Sequence, residues 1–149
     1  MTSLTRGVIA GLAATIVLSA LMLMKSAMGL MPELDVIAML GRMTGGGAAI
    51  GWLAHFMIGA VAWGGLFAVI EPNLPGDNFW LKGVTFGIGA WVLMMVVVMP
   101  MAGAGLFGVN LGMVAPVITL LLHMVFGAVL GGVYASLPGH EHGHQHAHS

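Results

Sequence analysis

The chain has 149 residues, 59% of them hydrophobic and only 6% charged, with a mean hydropathy of +1.03. A soluble domain carries about a quarter charged residues, so this composition excludes a globule that covers itself for water and points to a surface facing lipid. A net charge of −1 excludes a basic nucleic-acid stripe, and the lack of cysteine excludes disulfides, iron–sulfur clusters and thiolate metal sites.

A membrane span needs about 20 predominantly apolar residues. The first such run covers 6–30, from Arg6 past Lys25. It has the charge pattern of a signal peptide without a small-x-small cleavage site, and is expected to be retained. Pro32, with Glu33 and Asp35 behind it, reads as a helix start. The apolar residues that follow predict a short amphipathic helix over 32–43 on the membrane surface. Thr44-Gly45-Gly46-Gly47 breaks it. The second span covers 48–70 and stops at Glu71-Pro72, before a loop dense in turn residues. Trp80 and Lys82 mark an interface at the head of the third span, 80–101, which Pro100 interrupts. The fourth, 111–137, takes Pro116 in its first turns and ends at Leu137-Pro138. The remainder, 138–149, alternates histidine with small or polar residues and is expected to be disordered without a ligand.

Two internal echoes organise these spans. Arg6-Gly7-Val8, Gly11 and Ala14 return seventy-six residues later as Lys82-Gly83-Val84, Gly87 and Ala90. His55-Phe56-Met57-Ile58-Gly59-Ala60-Val61 returns sixty-eight residues later as His123-Met124-Val125-Phe126-Gly127-Ala128-Val129. The expected fold is therefore an all-α membrane protein: four transmembrane helices as two parallel helical-hairpin repeats about a pseudo-two-fold axis along the membrane normal. Glycine pairs at four-residue spacing, Gly7/Gly11, Gly83/Gly87 and Gly127/Gly131, would form tight helix seams. Lysines and arginines split two against two between the sides. The positive-inside rule therefore has nothing to weigh, and the amino terminus beside Arg6 points to cytoplasmic termini.

The chemistry-bearing candidates are histidines. Ionisable groups inside a membrane are functional hypotheses by default, and the repeat predicts that His55 and His123 lie at nearly the same depth, facing each other. The bland alternative is a neutral imidazole gluing the bundle through Thr15, Thr119 or a carbonyl. If functional, the pair suits copper or zinc, with thioethers from Met22, Met24, Met28 and Met31 or Met94, Met95, Met99 and Met101 suiting copper(I). It also suits bis-histidine haem b in an electron-transfer bundle, or a proton path with Asn110, Lys25, Glu33 and Asp35 at its mouth. His140, His142, His144, His146 and His148 give the tail a divalent-metal-binding composition. No catalytic constellation is visible, so no enzyme is expected. Further expected partners are the lipid bilayer and either a second copy or a larger membrane complex, in which this chain could be a structural subunit.

The run from Met24-Lys25 through Met28-Gly29-Leu30-Met31-Pro32-Glu33-Leu34-Asp35-Val36-Ile37, with Met99-Pro100-Met101-Ala102-Gly103-Ala104-Gly105, resembles a family of small bacterial four-span integral membrane proteins of unknown function. The resemblance covers nearly all of residues 4 to 137. It implies an uncharacterised multi-pass protein of the bacterial inner membrane, and it assigns no ligand or catalytic residues.

Overall fold

Four helices long and apolar enough to cross a membrane make up most of the computed structural model, which describes residues 1–32 and 34–139. The five tail histidines and Glu33 lie outside the described residues. Helix α1 is Ser3–Ala27, α3 is Gly47–Asn73, α4 is Phe79–Met101 and α5 is Ala115–Ser136. The short helix α2, Val36–Thr44, joins the first two. Among the described residues there is no strand.

Local chemistry sets the boundaries. Thr2 caps α1 by accepting from the Thr5 amide at 3.1 Å, and Asn78 caps α4 by accepting from Leu81 at 3.0 Å. Asp35 does the same for α2, accepting from Ala38 at 3.0 Å. That cap explains why α2 begins at Val36 and not at Pro32: Leu34, just before it, is buried against Met95 and Met99 of α4, which fixes the incoming chain. Gly45 then closes α2 at a φ of 75°, a left-handed conformation that suits glycine. The fourth span starts at Ala115, later than hydropathy alone suggests, because Leu106–Leu111 forms 3₁₀ turns kinked at Phe107 and Gly108, whose φ of 58° and 65° are left-handed.

Helices α1 and α3 pack antiparallel on a glycine seam, and so do α4 and α5. A Cβ on Gly7 would overlap the Gly64 carbonyl, and one on Gly83 would overlap the Gly127 carbonyl, so at each crossing only glycine permits this approach. Between the hairpins, α1 lies against α5 along much of its length, whereas the backbones of α3 and α4 stay apart. Aromatic rings bridge the second gap: Phe86 meets Trp63 at 5.7 Å and Phe67 at 5.4 Å, edge to face. These rings join Ala10, Ala14, Leu130 and Tyr134 in a core at the end of the bundle that holds Arg6, Lys82 and Glu71. At the other end α2 packs tightly on the start of α3, where a Cβ on Gly51 would overlap the Ile37 carbonyl. Its Met39 reaches the cluster formed with Leu34, Met95, Met99 and Ala104.

Candidate functional site

Between the aromatic core and α2 the bundle is hollow. A cavity of about 420 Å³ is walled by all four long helices and roofed by residues 36–40 of α2. Its lining is mostly apolar, and it contains both predicted histidines. A four-residue step on a helix keeps a side chain on the same face. On α3, Trp52, His55 and Gly59 fall on one such face, and on α5 so do Thr119, His123 and Phe126, all lining the cavity.

Each imidazole is held by one nitrogen. His123 Nδ1 lies 2.8 Å from the Thr119 main-chain oxygen. A carbonyl only accepts, so Nδ1 carries the proton and a neutral ring leaves a lone pair on Nε2. His55 Nε2 lies 3.0 Å from the Ser19 hydroxyl, which itself donates to the Thr15 carbonyl at 2.7 Å. With its single proton committed there, Ser19 accepts from His55 Nε2–H, and the lone pair of that ring sits on Nδ1. Neither remaining nitrogen has a hydrogen-bond partner among the described residues. Fixing one nitrogen to set the tautomer of the other is how proteins prepare an imidazole to accept or ligate.

The two rings are not positional counterparts, and the expectation of matched depth is corrected by the helix register. A Cβ on Gly11 would press on the Gly59 carbonyl and the Gly64 Cα, whereas one on Gly87 would press on the His123 carbonyl and the Gly127 Cα. His123 thus stands where α3 has Gly59. One turn back on each hairpin, His55 meets Ser19 at 3.0 Å and Thr119 meets Met95 Sδ at 3.8 Å. Met95 follows Ser19 by the same seventy-six residues that link α1 to α4. Thr119 thus sits beside Met95 as His55 sits beside Ser19, and His123 follows Thr119 by about one turn, ~5.4 Å, towards the Arg6 end. The sixty-eight-residue echo is displaced from the packing register by one turn, which preserves the face but not the depth. Both rings consequently reach the same cavity.

The methionines separate into three groups. Met22 and Met94 line the cavity. Met95 and Met99 are fully buried packing against Leu34 and Met39, with Met31 alongside them. Met24, Met28 and Met101 face outwards. Lys25 and Asp35 line the cavity at its α2 end, and the Lys25 ammonium donates to the Leu30 and Met31 carbonyls at 3.2 and 3.0 Å. Among the described residues, no cluster of three or more His, Asp or Glu side chains is placed to hold a metal ion. Asn110 is exposed and bonds the Gly103 carbonyl, away from the cavity.

Two features escaped sequence reasoning. Ser19, the partner of His55, is a small hydroxyl in an apolar run, and its only signal is that it stands one turn from Thr15 on the same face of α1. The other is backbone irregularity. Met57–Trp63 and Met94–Val98 are π-helical, and each contributes lining residues: Ile58, Gly59 and Trp63 from the first, Met94 and Val98 from the second. Wide turns of this kind recur at functional sites because they re-aim side chains that a regular helix would direct elsewhere.

Residues 1–145 match the model of a family of unknown function, DUF6789. The chain belongs to that family. The match spans the four apolar helices, the cavity and most of the tail, so this protein is a DUF6789 member with four candidate membrane spans. No curated protein and no solved structure matches it.

Proposed function

We propose that this DUF6789 protein is a non-enzymatic binding protein of the bacterial inner membrane, which holds a guest inside the bilayer in the cavity between its helices. Its polar contacts to the guest are His55 Nδ1 and His123 Nε2. The observation that carries this reading is that two imidazoles, each hydrogen-bonded through one nitrogen, line one mostly apolar chamber of about 420 Å³. Chambers of this size with few polar groups are the usual form of a ligand site. In this reading the two hairpins are copies about a pseudo-two-fold axis, offset by one turn at the histidines, and both termini face the cytoplasm. Native mass spectrometry of the protein released from its own membranes tests the proposal. The expected result is a bound species in wild type that is lost from a His55→Ala, His123→Ala double variant. An identical spectrum from both would overturn it.

A second reading, that the guest is a transition-metal ion being bound or moved, draws support from Met22 and Met94, which line the same chamber as the imidazoles. Two nitrogens with thioethers are a donor set for copper(I). The tail histidines would act as a separate collector of zinc, nickel or copper. Elemental analysis of protein truncated after Leu137 separates the two roles, since copper retained without the tail belongs to the membrane portion. The haem reading predicts a Soret band in the same preparation, and a colourless sample sinks it. A native mass above that of one chain would favour an oligomer or the structural-subunit alternative.

A further inference from the structure

The chamber is long and narrow, and its two ends differ in polarity. On α1 its lining runs from Thr15 to Ser26, eleven residues or ~16 Å of helix. A volume of about 420 Å³ holds ~14 groups of the ~30 Å³ that one water occupies. Spread over that depth, this is room for one chain and not two. The inner end is closed by the aromatic core of Phe67, Phe86 and Phe126. At the α2 end the wall parts, because Gly47–Phe56 at the start of α3 scarcely touches α1, although the next turns of α3 pack on it closely. Leu23 and Ser26 of α1, Asp35 before α2 and Ala48 of α3 line the chamber there and are exposed. Lining residues are exposed at Ile58 and Leu93 as well, but those two are apolar.

The α2 end carries both signs of charge. Lys25 and Asp35 both line the chamber, yet they form no ion pair with each other. The Lys25 ammonium donates to the Leu30 and Met31 carbonyls, which leaves one of its three N–H groups. Asp35 accepts from the Ala38 amide through Oδ1, and its Oδ2 bonds no described residue. We infer that the guest is a single-chain lipid with a zwitterionic head, its phosphate at Lys25, its ammonium at Asp35 and its chain running inwards to the aromatic core. Ser19, the partner of His55, stands six residues or ~9 Å below Lys25 on α1. The imidazoles thus meet the guest beneath its charged head, where a single-chain glycerolipid has a free hydroxyl. A hydroxyl both donates and accepts, so it suits these rings in either tautomer, and also the indole N–H groups of Trp52 and Trp63 that line the same chamber. This rests on the intramembrane-binding reading above and adds a head-group site to it.

The test uses the full chain in phosphatidylcholine nanodiscs. Radiolabelled palmitoyl-lysophosphatidylethanolamine and palmitoyl-lysophosphatidylglycerol are partitioned at equilibrium against empty discs. The zwitterionic probe is expected to saturate at one per chain and to bind about 5-fold more tightly than the anionic one, the scale of one exposed charge contact. That comparison needs no variant to fold. Asp35→Asn should bring the two probes within about 2-fold of each other, and asparagine caps a helix as well as aspartate, so α2 is kept. Leu18→Trp fills the chamber and should abolish saturable binding of both. Equal affinities on the unaltered protein would overturn the head-group site and leave the single-chain chamber standing. Saturable binding undiminished in Leu18→Trp would put the lipid on the outer surface and overturn the whole inference. If neither probe binds above empty discs, the lipid assignment fails, while the guest retained from the protein's own membranes still decides the binding reading separately.

Discussion

The seam between α1 and α5 and the seam between α3 and α4 join the same two hairpins, yet one is closed and the other is not. In the first, Ala10 and Ala14 are fully buried with Leu130 and Tyr134 in one core. Arg6 reaches across, donating from Nη2 to the Tyr134 carbonyl at 2.8 Å with its guanidinium 4.1 Å from the ring centre. In the second, the residue seventy-six positions after Ala10 is Phe86, whose ring stands between Trp63 and Phe67. The polar link there is an ion pair, Lys82 to Glu71 at 2.7 Å. Small side chains let backbones meet, and large rings hold them apart. Ala10 and Ala14 stand in the closed seam, and the rings of Phe86, Trp63 and Phe67 stand in the open one.

Substitutions at these two positions should break the comparison most directly. Ala10→Phe puts an aromatic ring where no space exists, and the expected loss is at least ~3 kcal/mol, the upper end of overpacking penalties. Denaturant unfolding in detergent, or failure to recover folded protein, measures it. Phe86→Ala removes two edge-to-face contacts and a buried ring. A rigid core would charge ~3–5 kcal/mol, but α4 has room to settle towards α3, so a smaller loss of about 2 kcal/mol is expected. In an Ile58→Cys, Leu93→Cys background, free of other cysteines, the same change should speed disulfide cross-linking between α3 and α4. Unchanged cross-linking would mean that Phe86 does not hold this seam open.

The polar links should differ by less. Arg6→Ala loses a hydrogen bond and a ring contact in the closed seam, and about 1–2 kcal/mol is expected. Lys82→Ala loses a half-buried ion pair in the open one, and about 1 kcal/mol is expected after solvent screening. High salt should narrow the difference between wild type and Lys82→Ala more than that between wild type and Arg6→Ala. Smallest of all, Ser19→Ala should cost roughly 0.5–1.5 kcal/mol. Its sharper readout is the His55 ring, whose Nε2–H proton signal should lose its hydrogen-bonded shift in solid-state NMR. A signal left in place would reassign the partner of that imidazole.

Much of this was legible in the residues. Hydropathy over 20-residue windows reports lipid exposure whatever the packing, so four apolar helices follow from composition and periodicity. Glycines four residues apart announce close crossings because only a missing Cβ permits them, and Gly7 with Gly64, and Gly83 with Gly127, are such crossings. His55 and His123 stood out because imidazoles are rare in hydrocarbon. What they would reach was not legible, since an echo in sequence does not record register. Four residues return a side chain to the same face one turn along, so the sixty-eight-residue echo predicted the shared face and missed the depth. The α2 boundary was also hidden, because it depends on Asp35 capping and on Leu34 finding Met95 and Met99, contacts distant in the chain.

The sequence by itself determined that four helices are long and apolar enough to cross a membrane, and that two imidazoles lie within them. Those properties are local: they depend on hydropathy, side-chain bulk and ionisability, which a residue carries wherever it is placed. Tertiary structure alone decided that the two imidazoles line one chamber, and which nitrogen of each is hydrogen-bonded to a neighbour. Those properties arise from how α1, α3, α4 and α5 cross, and a crossing is set by small and large residues on different helices acting together.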